Sequence, residues 1–140
     1  MGGVHTETKL TVHLVFVTKY RYKVLKGEIQ KRCREIIRQT CEANDIKILK
    51  GVISGEHIHL HIEYPAKISV SEISRKIKGR SARKLLKEYP ELKRKYYGGH
   101  LWGIGYGAWS TGNITQKMVE EYLSHHQKGE LNTDKNFILE

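Results

Sequence analysis

The chain has few cysteines, fewer acidic than basic residues, and no long apolar run. Its two cysteines, Cys33 and Cys41, lie in one helical repeat and close no loop that a disulfide would usefully stabilise. No apolar run reaches the roughly 18 residues of a membrane span, and the N-terminus lacks the basic-then-apolar pattern of a secretory signal. We therefore expect buried, reduced thiols in a soluble cytoplasmic protein with no membrane partner.

The charge balance favours a polyanionic partner. Twenty-five Lys and Arg against 15 Asp and Glu give a formal net charge of +10. Such a charge attracts polyanions before any specific contact forms, so nucleic acid is the expected partner; an acidic membrane surface ranks second on charge alone. With 140 residues, the chain is long enough for one core. We predict a single domain over residues 1–140, with its core at about 8–127 and a tail at 128–140.

Hydrophobic periodicity predicts an α+β protein. The predicted strands are 10–18, 46–53, 57–64 and 101–109, and the predicted helices are 28–43, one from Ser69 or Ser71 that Pro90 ends, and one from about Thr115. The first six elements follow the βαββαβ order of the ferredoxin-like antiparallel sheet, whose two crossover helices cover one face. The last helix is an addition, free to cross the open face or to reach a partner subunit.

The stretch GEHIHLHIEYP carries three alternating histidines in the third strand. Because side chains alternate along a strand, His57, His59 and His61 should share the open face while the aliphatic residues between them face the helices. Same-face neighbours are roughly 6.6 Å apart, so an ion could bind the 57/59 pair or the 59/61 pair but not all three. The alternative is a polar strand face that binds nothing. A metal site needs a third ligand, for which the last helix offers His126, His125 or Gln127.

Tyr122 and His126 are four residues apart, and so they share one face of the last helix. Tyr122 also belongs to the apolar stripe of that helix, where a tyrosine is usually a core residue. The functional alternative is a nucleophile beside a metal ligand. A phenol, with a pKa near 10, needs a nearby cation or base to act in this way.

Three motifs together resemble the single-tyrosine HUH transposases of small bacterial and archaeal insertion sequences: HIH on a strand, the segment LWGIGYGAWSTGNIT, and the helix MVEEYLSHHQ. The resemblance runs from the first strand to about Gln127. It implies that His57 and His59 bind metal and that Tyr122 is catalytic. The third ligand falls on His126, where the family usually has glutamine. The implied cofactor is Mg²⁺ or Mn²⁺, although nitrogen ligands suit transition metals better than Mg²⁺.

The resemblance implies a metal-dependent enzyme that cleaves and rejoins single-stranded DNA at hairpin-bearing element ends through a covalent 5′-phosphotyrosine. No nucleotide cofactor is expected, and the lack of a P-loop motif agrees with this. The resemblance also implies a homodimer in which the Tyr122 helix completes the partner's active site. Gly112, just before that helix, would be a plausible pivot.

Basic and aromatic residues are candidates for DNA contacts. Ten Lys or Arg lie between Ser71 and Lys95, of which we expect about half to track phosphates. The connection after the first strand mixes basic residues with aromatic residues that could stack on unpaired bases. The predicted DNA-binding residues are Tyr20, Arg21, Lys23, Arg75, Lys78, Arg80 and Arg83.

Other functions are compatible with parts of the sequence. A domesticated relative, such as the transposases associated with repeated extragenic palindromes, would share the nicking chemistry without a mobile element. A non-catalytic nucleic-acid-binding module on a ferredoxin-like sheet is a different class, disfavoured because histidines replace the aromatic residues expected on its central strands. A metal-storage protein would leave the charge of +10 unexplained.

Overall fold

The structure, a computed structural model that describes residues 8–110 and 114–126, confirms the predicted fold class. The strands are β1 (Lys9–Val17), β2 (Lys47–Ile53), β3 (His57–Pro65) and β4 (Gly107–Trp109). The helices are α1 (Gly27–Ala43), α2 (Val70–Glu88), α3 (Pro90–Lys95) and α4 (Gln116–Ser124), with a short 3₁₀ turn at Lys19–Arg21. Within the described ranges, no helix has the length and apolar character to cross a bilayer.

The sheet has the strand order β2-β3-β1-β4, with every neighbouring pair antiparallel. The two central strands pair along their whole length, from Lys9 opposite Pro65 to Val17 opposite His57. The β2 and β3 strands form an antiparallel hairpin. This is the ferredoxin-like arrangement that the element order predicted.

The main core lies between the sheet and the two crossover helices. Phe16 of β1, Ile58 of β3, Ile36 of α1 and Ile77 of α2 are all at most 1% exposed and belong to one cluster. Burial of this kind is the main contribution to stability in a domain of this size. The cysteines of α1 lie in the same cluster as free thiols, as predicted, and burial raises the pKa of each to about 12.

The start of α2 and its end follow the sequence signals. The Ser69 hydroxyl accepts a hydrogen bond from the Glu72 backbone N–H at 3.1 Å, so Ser69 is the N-cap. The helix ends at Glu88 because proline cannot continue a helix interior, and Pro90 instead opens the short helix α3, which was not predicted. Leu92 fixes α3 to the core, since it is only 2% exposed.

The predicted strand at 101–109 is wrong in its extent. Only Gly107–Trp109 forms a strand, and Trp102 makes a single bridge to Thr18. Between them the chain leaves the extended conformation, because Gly105 has a φ of +79°. The Lys78 ammonium stabilises the resulting loop by donating to the carbonyls of Gly103 and Gly105 at 2.9 and 2.7 Å. Gly103 and Gly105, which were predicted to lie in a strand, therefore belong to a loop.

Trp102 is fixed by a buried hydrogen bond. Its indole N–H donates to the Ser81 hydroxyl at 2.9 Å, and that hydroxyl donates to the Ile77 carbonyl at 2.6 Å. Ser81 is fully buried and Trp102 is 6% exposed. This chain of hydrogen bonds attaches the segment before β4 to the middle of α2.

We predict that Ser81→Ala lowers the free energy of unfolding by about 1–3 kcal/mol, because it leaves a buried indole N–H without its acceptor. Urea unfolding monitored by circular dichroism measures the change. Ser71→Ala is the matched control, since Ser71 also has a hydroxyl partner, at 2.9 Å, but an exposed one, and should change stability by less than about 0.5 kcal/mol. Equal effects of the two substitutions would contradict the role given to Ser81.

Candidate active site

The histidines of β3 lie on the sheet face opposite α1 and α2. Ile58, Leu60 and Ile62 are at most 2% exposed, and His57 and His59 alternate with them at intermediate exposure on the other face. The predicted alternation is therefore confirmed. The helix-covered face is apolar, and the second face presents imidazoles.

The added helix α4 lies across this second face. Its N-cap is Thr115, whose hydroxyl accepts from the Met118 backbone N–H at 3.2 Å. Val119 and Leu123 of α4 form a small second core with Val15 and Val17 of β1. In the described chain, α4 thus rests on its own sheet, and the apolar stripe that the sequence showed is used for this contact.

Tyr122 lies above β4, where a glycine makes room for it. Its ring meets Trp109 edge-on, with centroids 5.9 Å apart and an interplanar angle of 84°. A Cβ at Gly107 would lie 2.6 Å from the Trp109 ring and 3.1 Å from Tyr122 Cδ1, so only glycine fits there. Burial raises the pKa of the Tyr122 phenol, which keeps the hydroxyl protonated unless a cation or base lies beside it.

His126 follows the end of α4 and packs back on Tyr122, with ring centroids 4.9 Å apart. Its Nδ1 lies 3.3 Å from the Tyr122 carbonyl oxygen. Since a carbonyl only accepts hydrogen bonds, this contact favours the tautomer of the neutral ring with the proton on Nδ1 and a lone pair on Nε2. The ring lies beside Gly103, where an added Cβ would be in ordinary van der Waals contact with His126 Cδ2 at 3.5 Å.

Burial favours the neutral forms of His57 and His59. It lowers the pKa of His57, with the Arg21 charge acting in the same direction and Glu56 opposing it. It also lowers the pKa of His59, to which neighbouring positive groups add. The His57 Nδ1 atom is buried and has no hydrogen-bond partner within the described ranges; its nearest carboxylate oxygen, on Glu56, is 4.0 Å away. Neutral imidazoles are the form that binds metal.

His13 of β1 belongs to the same histidine face and was not predicted. It is 6% exposed, and its Nδ1 lies 3.1 Å from Nε2 of His59. Its ring stacks on that of His61, with centroids 3.9 Å apart and an angle of 7°. The signal was present in LTVHLVFV, because alternation places His13 on the same face as Val15. The pairing of β1 with β3 that brings these histidines together is a tertiary feature.

The candidate ligands approach from opposite sides of β1. His57 pairs with Val17 on one side, and Gly103, against which His126 packs, donates to the Val17 carbonyl at 2.7 Å on the other. Accordingly, among residues 8–110 and 114–126 no three histidine, cysteine, aspartate or glutamate side chains are arranged to hold a metal ion. The three predicted ligands share a face and an end of the sheet without forming a closed set.

Of the predicted DNA-binding residues, some have contacts within the protein and the rest are exposed. Arg21 forms an ion pair with Glu56, and Lys78 donates hydrogen bonds to loop carbonyls. Tyr20 packs on Tyr22 at a centroid distance of 5.3 Å. The others are exposed, and a cleft of about 760 Å³ between α2 and the 99–106 loop is lined by Arg75, Lys78 and Arg83 but not by Arg80. Lys23 and Arg80 are also exposed, but they lie outside this cleft.

Two residues named from the sequence, Gly112 and Gln127, lie outside the described residues.

Comparison with known proteins supports the sequence resemblance. Residues 6–126 match the family model described as transposase IS200 like. The transposase of insertion sequence element IS200 from Salmonella typhimurium is 34% identical over 121 residues, covering 86% of this chain and 79% of that protein. The ISDra2 transposase TnpA of Deinococcus radiodurans is 30% identical, and the match covers 86% of each chain.

Solved structures of transposases share the fold of this chain. A crystal structure of a protein assigned as a transposase of Deinococcus radiodurans superposes with a TM-score of 0.83 at 25% identity, covering 92% of this chain and 99% of that one. A REP-associated tyrosine transposase bound to a REP hairpin shares the fold, with a TM-score of 0.58 at 16% identity over 89% of this chain and 67% of that one. With the family model matched over nearly the whole chain, this protein belongs to the IS200-like transposase family.

Proposed function

We propose that this transposase cleaves and rejoins single-stranded DNA at hairpin-bearing element ends, with a divalent metal ion as cofactor and Tyr122 as the nucleophile. The observation that carries the proposal is the position of α4. It brings Tyr122 and His126 to the sheet face on which β3 presents His57 and His59. A tyrosine and three imidazoles at one end of one face are the groups that a metal-assisted attack on phosphorus requires.

The proposed metal ligands are His57, His59 and His126. Two observations support the fit of His57 and His126 to an ion, while Nε2 of His59 is in contact with His13. His57 has a buried Nδ1 without a hydrogen-bond partner in the part of the chain described, and the contact of His126 with the Tyr122 carbonyl leaves its Nε2 lone pair free. Mg²⁺ or Mn²⁺ is the expected ion, and three nitrogen ligands favour Mn²⁺. When bound, the ion would withdraw charge from the scissile phosphate and help to orient it.

The chain itself supplies the nucleophile and its alignment. The Tyr122 ring packs edge-on against Trp109, in space that the lack of a side chain at Gly107 leaves open. Attack by the phenol oxygen on phosphorus forms the tyrosine-phosphate bond and breaks the bond to the 3′-oxygen, and the phenol proton ends on that oxygen. The 5′-phosphate then remains on Tyr122. Attack by another 3′-hydroxyl reverses these steps, so rejoining needs no nucleotide.

Two lines of support favour a DNA substrate: the positive charge of the chain and its membership of the IS200-like transposase family. The net charge of +10 favours a polyanion, and the cleft with Arg75 and Arg83 offers exposed cations beside the loop that contacts His126. The REP-associated relative is described as bound to a hairpin. A hairpin with adjacent single-stranded DNA is therefore the substrate class that we propose for this chain.

We further propose that the enzyme acts as a homodimer. One candidate nucleophile per chain makes one cleavage per site, whereas moving an element requires two ends. In the described chain α4 lies on its own sheet. In the proposed dimer, the equivalent contact is made with the sheet of the partner subunit, so that α4 completes the partner's site.

We predict that incubation with hairpin-bearing single-stranded DNA and Mn²⁺ yields a covalent adduct that survives denaturing electrophoresis. Tyr122→Phe should abolish the adduct, because it removes the nucleophile. Tyr97→Phe is the matched control, since that ring is 92% exposed, and it should leave adduct formation unchanged. An adduct that persists in Tyr122→Phe would refute the assignment of Tyr122.

The same assay separates the histidines. His57→Ala and His59→Ala should each slow cleavage about 100-fold or more while hairpin binding in gel-shift assays is largely kept, because ligands act on the chemical step. His61→Ala should have a smaller effect, since His61 is a stacking neighbour of His13 and not a proposed ligand. An effect of His61→Ala as large as the other two would show that the chosen ligand pair is wrong.

Metal affinity should depend on pH with a known sign. Because burial lowers the pKa values of His57 and His59, protons compete for these ligands only below the ordinary histidine pKa of about 6.5. We predict that the Mn²⁺ affinity, measured by calorimetry without DNA, is nearly constant from pH 8 to 7 and falls at lower pH. Tyr97→Phe should reproduce this profile. An affinity that falls already between pH 8 and 7 would contradict neutral, buried ligands.

Mixed dimers test whether α4 acts on the partner. A Tyr122→Phe chain keeps its metal ligands on β3, and a His57→Ala/His59→Ala chain keeps its tyrosine. If α4 completes the partner's site, mixing these two inactive proteins restores cleavage, because each mixed dimer holds one complete site. We predict such restoration in the adduct assay. Mixtures that stay as inactive as each protein alone would show that Tyr122 acts within its own chain.

A further inference from the structure

The Arg21 side chain joins three segments of the chain at the end of the candidate site. Its Nε and one terminal nitrogen donate to the two carboxylate oxygens of Glu56 at 3.3 and 3.1 Å. Its other terminal nitrogen donates to the Leu123 carbonyl at 3.4 Å. Glu56 immediately precedes His57, and Leu123 lies between Tyr122 and His126. One guanidinium therefore contacts both halves of the site.

The backbone around Arg21 is held in a costly conformation. Tyr20 and Arg21 have φ values of 65° and 55°, in the left-handed region that L-residues rarely adopt. A pair of such residues persists only where surrounding contacts outweigh the strain. The Thr18 hydroxyl, which donates to the Tyr22 carbonyl at 2.7 Å, closes this turn. The turn directs the Arg21 side chain toward Glu56 and α4.

The ion pair is more enclosed than a typical surface pair. The side chains of Arg21 and Glu56 are 20% and 14% exposed. A positive charge at the C-terminal end of α4 is also favourable, because the last carbonyls of a helix carry partial negative charge. Arg32 and Glu88 form a second two-point pair, at 2.7 and 2.9 Å, which joins α1 to α2 on the other side of the sheet. This second pair provides an internal comparison.

We propose that Arg21 is a positioning residue that clamps the C-terminal end of α4 to the turn before His57, and thereby sets Tyr122 and His126 relative to the histidine strand. The planar fork of arginine can contact one carboxylate at two points and a carbonyl at the same time, which lysine cannot. The described contacts show the clamp within one chain, and in the proposed dimer the equivalent contact is made between Arg21 and α4 of the partner subunit. Its effect on metal binding rests on the proposed function.

Hydrogen exchange of the full chain, followed by mass spectrometry, tests the clamp. Arg21→Lys keeps the positive charge and requires the same left-handed backbone conformation, but it lacks the forked guanidinium. The amides of α4 should then exchange about tenfold faster, because a hydrogen bond to a charged group is lost, while those of β1 and β3 stay protected. Glu56→Gln should also speed exchange in α4, and combining it with Arg21→Lys should add little, because both changes break one contact.

Arg32→Lys is the matched control, since it removes the fork of the Arg32 pair with Glu88 and should leave exchange in α4 unchanged. The clamp is refuted if α4 exchanges at the wild-type rate in Arg21→Lys, or if Arg32→Lys accelerates it equally.

A second measurement separates positioning from mere stability. Mn²⁺ titration at pH 7.5 should show about tenfold weaker binding for Arg21→Lys, because the ligands on β3 and after α4 lose their common support, and unchanged binding for Arg32→Lys. Unchanged Mn²⁺ affinity in Arg21→Lys would refute the positioning role. If the wild-type protein binds no Mn²⁺, the metal assignment fails, and the exchange result still decides whether Arg21 clamps α4.

Discussion

The candidate site depends on the nine-residue antiparallel pairing of β1 with β3. Because side chains alternate along a strand, the register decides which residues face the helices and which face α4. A shift by one residue would turn Ile58, Leu60 and Ile62 away from the core and bury the histidines beneath α1 and α2. The apolar core therefore keeps the histidines on the second face, since a slip of β3 would expose the buried side chains of Ile58, Leu60 and Ile62.

Four histidines placed close together on this face restrict one another. His13 touches His59 and His61, and positive neighbours add to the effect of burial in lowering the pKa of His59. A positive charge on His59 would be repelled by these neighbours and would lack water on this partly buried surface, so the neutral form of His59 is favoured. The contact with His13 engages Nε2 of His59, whereas Nδ1 of His57 has no hydrogen-bond partner in the described part of the chain.

Local patterns predicted most of the fold and the sheet face on which His57 and His59 lie, whereas the roles given to the site residues came from the family resemblance. The signals that succeeded depend only on residues close together in the sequence. They are the alternation in LTVHLVFV and HIHLHIEYP, the helix starts at Ser69 and Thr115, and the helical spacing in α1. The loop at 103–106 could not be predicted in this way, because it depends on an ammonium from α2 that binds its carbonyls. The structural roles of His13 and Arg21 were missed for the same reason. Their partners lie 46 and 35 residues away in the chain, and nothing local indicates the contacts.

The two halves of the site differ in how they are supported. His57 and His59 belong to a central strand that is paired on both sides. Tyr122 belongs to a nine-residue helix, shorter than the 12 or so residues at which isolated helices become even marginally stable. The order of α4 must therefore come from its contacts: Val119 and Leu123 on the sheet, the ring packing of Tyr122, and Arg21 at its end. Since these contacts are few, α4 should be among the first elements to open, and the position of Tyr122 depends on side chains far away in sequence.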